Sequence, residues 1–145
     1  MSTERLVGLM GCPCDERAIG HLNCAKIERL FLAYNDLTGE LVGALLANID
    51  KCSLLKELSI KSNSIGNTGL VSLGIQLKHN KTIVNLALDD NAIDSEGLKE
   101  FSRECLSEND TIETLCLRSN PIGTQFNMPI EDDLLVCTRV HALFL

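Results

Sequence analysis

Residues 55–70 read LKELSIKSNSIGNTGL, an apolar pattern interrupted by one amide, Asn63. Leu55, Leu58, Ile60 and Ile65 carry the spacing of a segment buried along one side. Asn63 falls among them, and a buried amide without partners costs roughly 1–3 kcal/mol. The stretch therefore predicts a core and, at its centre, a side chain that bonds to backbone.

The same pattern recurs along the chain. Leu55, Leu58, Ile60, Asn63 and Ile65 are preceded by Ile27, Leu30, Leu32, Asn35 and Leu37, and followed by Ile83, Leu86, Leu88, Asn91 and Ile93. Both steps are 28 residues. A fourth copy, Ile112, Leu115, Leu117, Asn120 and Ile122, follows after 29, and Val140, Leu143 and Leu145 open a fifth. Between these blocks the apolar residues change to helical spacing: Leu45 and Ile49, then Leu70, Leu73 and Leu77, then Leu98, Phe101 and Cys105. Thr68 ahead of Gly69, and Asp94 or Ser95 ahead of Glu96, read as helix starts. Each unit is thus a short strand, a turn and a helix, and one unit alone cannot bury its leucines.

This pattern resembles the ribonuclease-inhibitor class of leucine-rich repeats over residues 27–145. The resemblance implies an α/β fold, a right-handed curved solenoid with a parallel sheet on the concave side and helices on the convex side. Curvature has a simple cause, since strands neighbour at about 4.8 Å while packed helices need about 8–10 Å. It also implies that Asn35, Asn63, Asn91 and Asn120 form a ladder bonded to the turn backbones. Residues 1–26 do not fit the repeat and read as an N-terminal capping segment, with Arg17, Ile19 and Leu22 marking a short helix. In the fourth unit Pro129 and the acidic run Glu131, Asp132 and Asp133 predict a shorter helix from Pro129 to Thr138, with Ile130 and Leu134 inward. The first unit, with Gly39 four residues after its asparagine, is expected to turn differently. The last apolar strand lacks its asparagine, which points to a piece of a longer solenoid or to an edge covered by a partner.

Composition bounds the function. The 145 residues are 45% apolar but carry only four Phe, one Tyr and no Trp, so the core is aliphatic. A net charge of −7 without a basic run argues against nucleic acid and anionic membranes, and favours a basic partner. No apolar run reaches the length of a membrane span, and the expected location is the cytoplasm or nucleus. Of seven cysteines, Cys52, Cys105, Cys116 and Cys137 lie in apolar-patterned segments and read as small hydrophobes of a reducing compartment. Cys12, Cys14, His21 and Cys24 could supply four ligands to zinc, but their spacing fits no familiar zinc site, and free thiols of a capping segment are the simpler reading.

For chemistry the signals are poor. His21, His79 and His141 stand in unrelated places, no phosphate-binding glycine motif is present, and no cofactor is implied. Strand alternation instead displays Phe31, Ser59, Ala87 and Cys116 in one concave column, and Ala33, Lys61, Asp89 and Arg118 in the next, with Tyr34, Ser62, Asp90 and Ser119 beyond. Lys61, Asp89 and Arg118 alternate in sign. They form either mutually satisfied surface pairs or part of a recognition strip to which Phe31 and Tyr34 add an aromatic anchor. The expected role is a non-enzymatic scaffold binding a protein partner through Phe31, Tyr34, Lys61, Asp89, Asp90 and Arg118. The resemblance leaves two alternatives: an accessory of an enzyme system, like the leucine-rich GTPase-activating proteins of the Ran cycle, and an actin-regulatory domain of the tropomodulin type. The partner's identity and the oligomeric state are not written in the pattern.

Overall fold

In a computed structural model, residues 6–11, 17, 20, 26–49, 51–123 and 142–144 are described. Six strands form one parallel sheet in sequence order: β1 (Leu6–Gly8), β2 (Arg29–Phe31), β3 (Glu57–Ser59), β4 (Asn85–Ala87), β5 (Thr114–Cys116) and β6 (Ala142–Phe144). Among the described residues, three helices return the chain from strand to strand: α1 (Gly39–Ile49), α2 (Gly66–Leu77) and α3 (Ser95–Phe101). They pack against one another in order, α1 on α2 and α2 on α3. This is the solenoid implied by the repeat, with the sheet concave and the helices convex.

Register follows the leucines. Leu30, Leu58, Leu86, Leu115 and Leu143 pair in register along the backbones of successive strands, and the first four have at most 1% of their surface exposed. Each such side chain removed from water stabilises the fold by about 1.5–3 kcal/mol. From the helices, Leu45, Ile49, Leu70, Leu73, Leu77, Leu98 and Cys105 close the same core. Phe101 is the one aromatic among the described core residues. Gly74 makes room for it: a Cβ there would stand 3.0 Å from the Phe101 ring.

The sheet begins earlier than the repeat pattern suggests. Val7 pairs with Leu30, so a strand precedes Ile27 where only a capping segment is expected from sequence. Arg17 and Gly20 are helical; Ile19 and Leu22 lie outside the described residues. So do Cys12, Cys14, His21 and Cys24, and the helix expected over 129–138.

The ladder amides have defined partners. Asn63 donates from Nδ2 to the carbonyls of Leu32, Ile60 and Lys61, and its Oδ1 accepts the N–H groups of Asn35 and Leu37. Asn120 does the same one unit pair later, donating to Leu88 and Leu117 and accepting from Asn91 and Ile93. Asn91 donates to Ile60, Leu88 and Asp89, yet its buried Oδ1 has no hydrogen-bond partner. The turns explain this. Units one and three place Asp36 and Ala92 in the left-handed region, whereas units two and four place Gly66 and Gly123 there, two residues further on. With the unit-two turn rotated, the Gly66 N–H meets the Asn91 backbone carbonyl instead of its amide oxygen being used.

A second set of ties lies where helices return to strands, at Cys52, Asn80 and Asn109. Asn109 donates to the carbonyls of Leu77 and Asn80, and its Oδ1 accepts the N–H groups of Thr111 and Ile112. Asn80 caps its own loop the same way, accepting from Thr82 and Ile83. Cys52 stands at the equivalent position and is disulfide-bonded, which corrects its reading as a small hydrophobe of a reducing compartment; Cys105 and Cys116 form no disulfide.

Two further differences are local. Thr68 is an exposed residue inside α2, whose start at Gly66 has no side-chain cap, whereas Asp94 caps α3 by accepting the N–H groups of Glu96 and Gly97. The 29-residue third unit is accommodated by a π-helical turn, Ser102–Leu106, that continues α3. Such a turn absorbs one residue without breaking the helix, so the next strand stays in register.

Candidate partner-binding groove

Alternation on each strand turns the residues between the leucines away from the core, and these line a concave groove of about 400 Å³. Its floor is Phe31, Ser59, Ala87 and Cys116, one residue from each of four strands. Glu57, Asn85 and Thr114 form one wall, Ala33 and Lys61 the other, and Met10 closes the N-terminal end. Small side chains at the centre, Ser59 and Ala87, leave a trough between the larger Phe31 and Cys116.

The charges around the trough are already paired. Arg29 Nε lies 2.7 Å from Glu57 Oε2, and its guanidinium stacks 5.3 Å from the Phe31 ring centroid. Lys61 Nζ is 3.2 Å from Asp89 Oδ2, while Asp89 Oδ1 accepts the Arg118 N–H at 3.1 Å. The Lys61 contact is an ion pair without hydrogen-bond alignment, so Asp89 Oδ2 is buried and neutralised but not hydrogen-bonded. Burial, and then the Asp89 charge, push the Cys116 thiol above its ordinary value. It stays protonated at neutral pH and acts as an apolar wall. Among the described residues no histidine lines the groove: His79 is exposed beyond α2, and His21 and His141 lie outside the described residues.

The structure separates the residues expected to act together. Phe31 and Lys61 line the groove. Asp89 is only 9% exposed, behind Lys61 rather than displayed. Tyr34 and Asp90 are exposed but lie beyond the groove, because the residue ahead of every ladder asparagine adopts positive φ: Tyr34, Ser62, Asp90 and Ser119, at 50° to 59°. Strand alternation ends there, and with it the expected pairing of Tyr34 with Phe31. Arg118 is exposed at the far side and ties in through its backbone. Sequence reasoning passed over Arg29, Glu57, Asn85 and Thr114, although each lies two residues before a floor residue and so faces the same way. Met10 carried no such signal.

Comparison with known proteins bears on the architecture. A family model described as Leucine Rich repeat matches residues 51–74 and 79–102. The chain carries leucine-rich repeats. Among solved structures 46 chains match, one of them described as leiomodin-1 actin-binding site 2, with a TM-score of 0.66 at 19% identity, covering 98% of this chain and 70% of that one. At that identity the likeness speaks for the fold alone. Comparison with curated proteins finds no match. No helix among the described residues is long and apolar enough to cross a membrane.

Proposed function

We propose that this repeat domain is a protein-interaction module of the ribonuclease-inhibitor-like class, and that it holds its partner in the concave groove rather than along the Lys61–Asp89–Arg118 strip. The observation that carries the reading is the trough itself. A volume of about 400 Å³ gives room for side chains of a protein partner, and it has apolar surface at its floor and polar groups on its walls. The strip, by contrast, has its Lys61 and Asp89 charges paired with each other and Asp89 buried behind the lysine, so neither charge is displayed to a partner. Among the described residues that line it, the groove has no acid–base pair and no activated nucleophile.

The test is partner recovery from native cells by proximity labelling, with Ala87→Arg filling the trough and Tyr34→Ala altering the exposed turn. Ala87→Arg, checked for an unchanged melting temperature, is expected to lose the recovered partners at least tenfold, and Tyr34→Ala to keep them. The opposite ranking sinks the groove assignment. Actin belongs in the panel as a defined partner because the solved structure of similar fold is an actin-binding site of leiomodin-1. Co-sedimentation with filaments and native gels with monomeric actin test that reading directly.

A further inference from the structure

The acidic balance of the chain suggests a basic ligand, but the groove is electrically different from the whole. Glu57 is held by Arg29 at 2.7 Å and Asp89 by Lys61 at 3.2 Å, and the thiol at the end of the floor is neutral. A charged side chain entering the trough would have to break one of these pairs or shed its water against Ala87 and Phe31 without compensation. An uncharged apolar side chain does neither. Charge complementarity therefore selects a neutral anchor, and the −7 net charge acts on the approach and on flanking positions.

The walls say how that anchor is presented. Asn85 and Thr114 on one side and Ser59 on the floor offer neutral donors and acceptors facing the trough. A helix has its backbone groups satisfied internally and could not use them, whereas an extended segment brings unpaired N–H and C=O groups. Four strands at about 4.8 Å set Phe31 roughly 14 Å from Cys116, enough for a short extended segment to cross.

We infer that the groove recognises an extended segment of a protein partner through one bulky uncharged side chain seated over Ala87 between Phe31 and Cys116, with Asn85, Ser59 and Thr114 bonding the segment's backbone. This rests on the groove being the binding face. The experiment is selection of a phage-displayed random nonapeptide library on the full chain, followed by binding of the synthesised winners by fluorescence anisotropy. Winners are expected to share Leu, Met, Phe, Tyr or Trp at one position, and Asp or Lys there to weaken binding at least tenfold. N-methylation of an adjacent peptide amide should cost a similar factor, and so should Ala87→Trp or, at the wall, Thr114→Arg. The inference is overturned by winners anchored on Lys or Arg, by an i, i+3, i+4 pattern indifferent to N-methylation, by equal binding to both variants, or by no enrichment. If cellular partners depend on Ala87 while peptides prefer a charged anchor, the groove stands as the binding face and only this inference falls.

Discussion

The two edges of the solenoid solve one problem with different chemistry. Where strands turn toward helices, every unit uses asparagine, and the amide of Asn63 or Asn120 both donates to and accepts from the unit before it. Where helices return to strands, asparagine serves at 80 and 109 but a disulfide-bonded cysteine stands at 52. The substitution is tolerated because the backbone takes over: Leu55 donates its N–H to the Cys52 carbonyl, while the matching Ile83 and Ile112 donate to amide oxygens. An amide is indispensable only where one side chain must serve several buried backbone groups together.

The sharpest way to break this contrast is within the first edge. Asn63→Ala removes five hydrogen bonds and strands buried backbone groups, and is expected to cost about 3–4 kcal/mol in urea unfolding. Asn91→Ala loses only the donor bonds and should cost about 1–2 kcal/mol less. Equal losses would contradict the orphaned oxygen. At the second edge Asn109→Ala is expected to cost about 2–3 kcal/mol, and a value near zero would reduce that edge to decoration.

Smaller effects probe the turns. Asp94→Ala removes the α3 cap and should cost about 1 kcal/mol. The Gly97 N–H, and next the Asn67 amide, hold the Asp94 carboxyl below its ordinary value. The sign follows: its contribution is complete above the ordinary aspartate value and fades as pH falls through the lowered one. The variant's deficit should therefore shrink in acid, and a constant deficit from pH 7 to pH 2 would count against the cap. Ala92→Gly should raise stability by about 0.5–1 kcal/mol, since Ala92 sits at φ 55° without the freedom of glycine. A loss of stability there would mean that the left-handed turn carries no strain.

Most of the scaffold was legible because Leu30, Leu58, Leu86 and Leu115 repeat at nearly constant spacing, and only a parallel stack satisfies that. The strand at Leu6–Gly8 was hidden because it pairs at an offset of 23 residues, Leu6 against Arg29, outside the period. The turns were hidden too: nothing in the letter Ala at 92 announces positive φ, and the backbone choice in one unit depends on the asparagine of the next. The groove was half legible. Phe31, Ser59, Ala87 and Cys116 followed from alternation, but the burial of Asp89 and the displacement of Tyr34 depend on the turn conformation, which periodicity does not encode.

The vacant oxygen of Asn91 has a consequence for how the stack comes apart. Units one and two are cross-tied by a shielded amide, and so are units three and four, but between two and three part of that load moves outward to the reciprocal bonds of Asn67 with Asp94 on the exposed helix starts. The junction between units two and three thus keeps its strand pairing, its helix packing and the Asn91–Ile60 bond, but rests part of its side-chain tie on a wet carboxylate. Because its hydrogen bonds hold the Asp94 carboxyl below its ordinary value, this tie outlasts ordinary carboxylates as pH falls and is given up only in stronger acid.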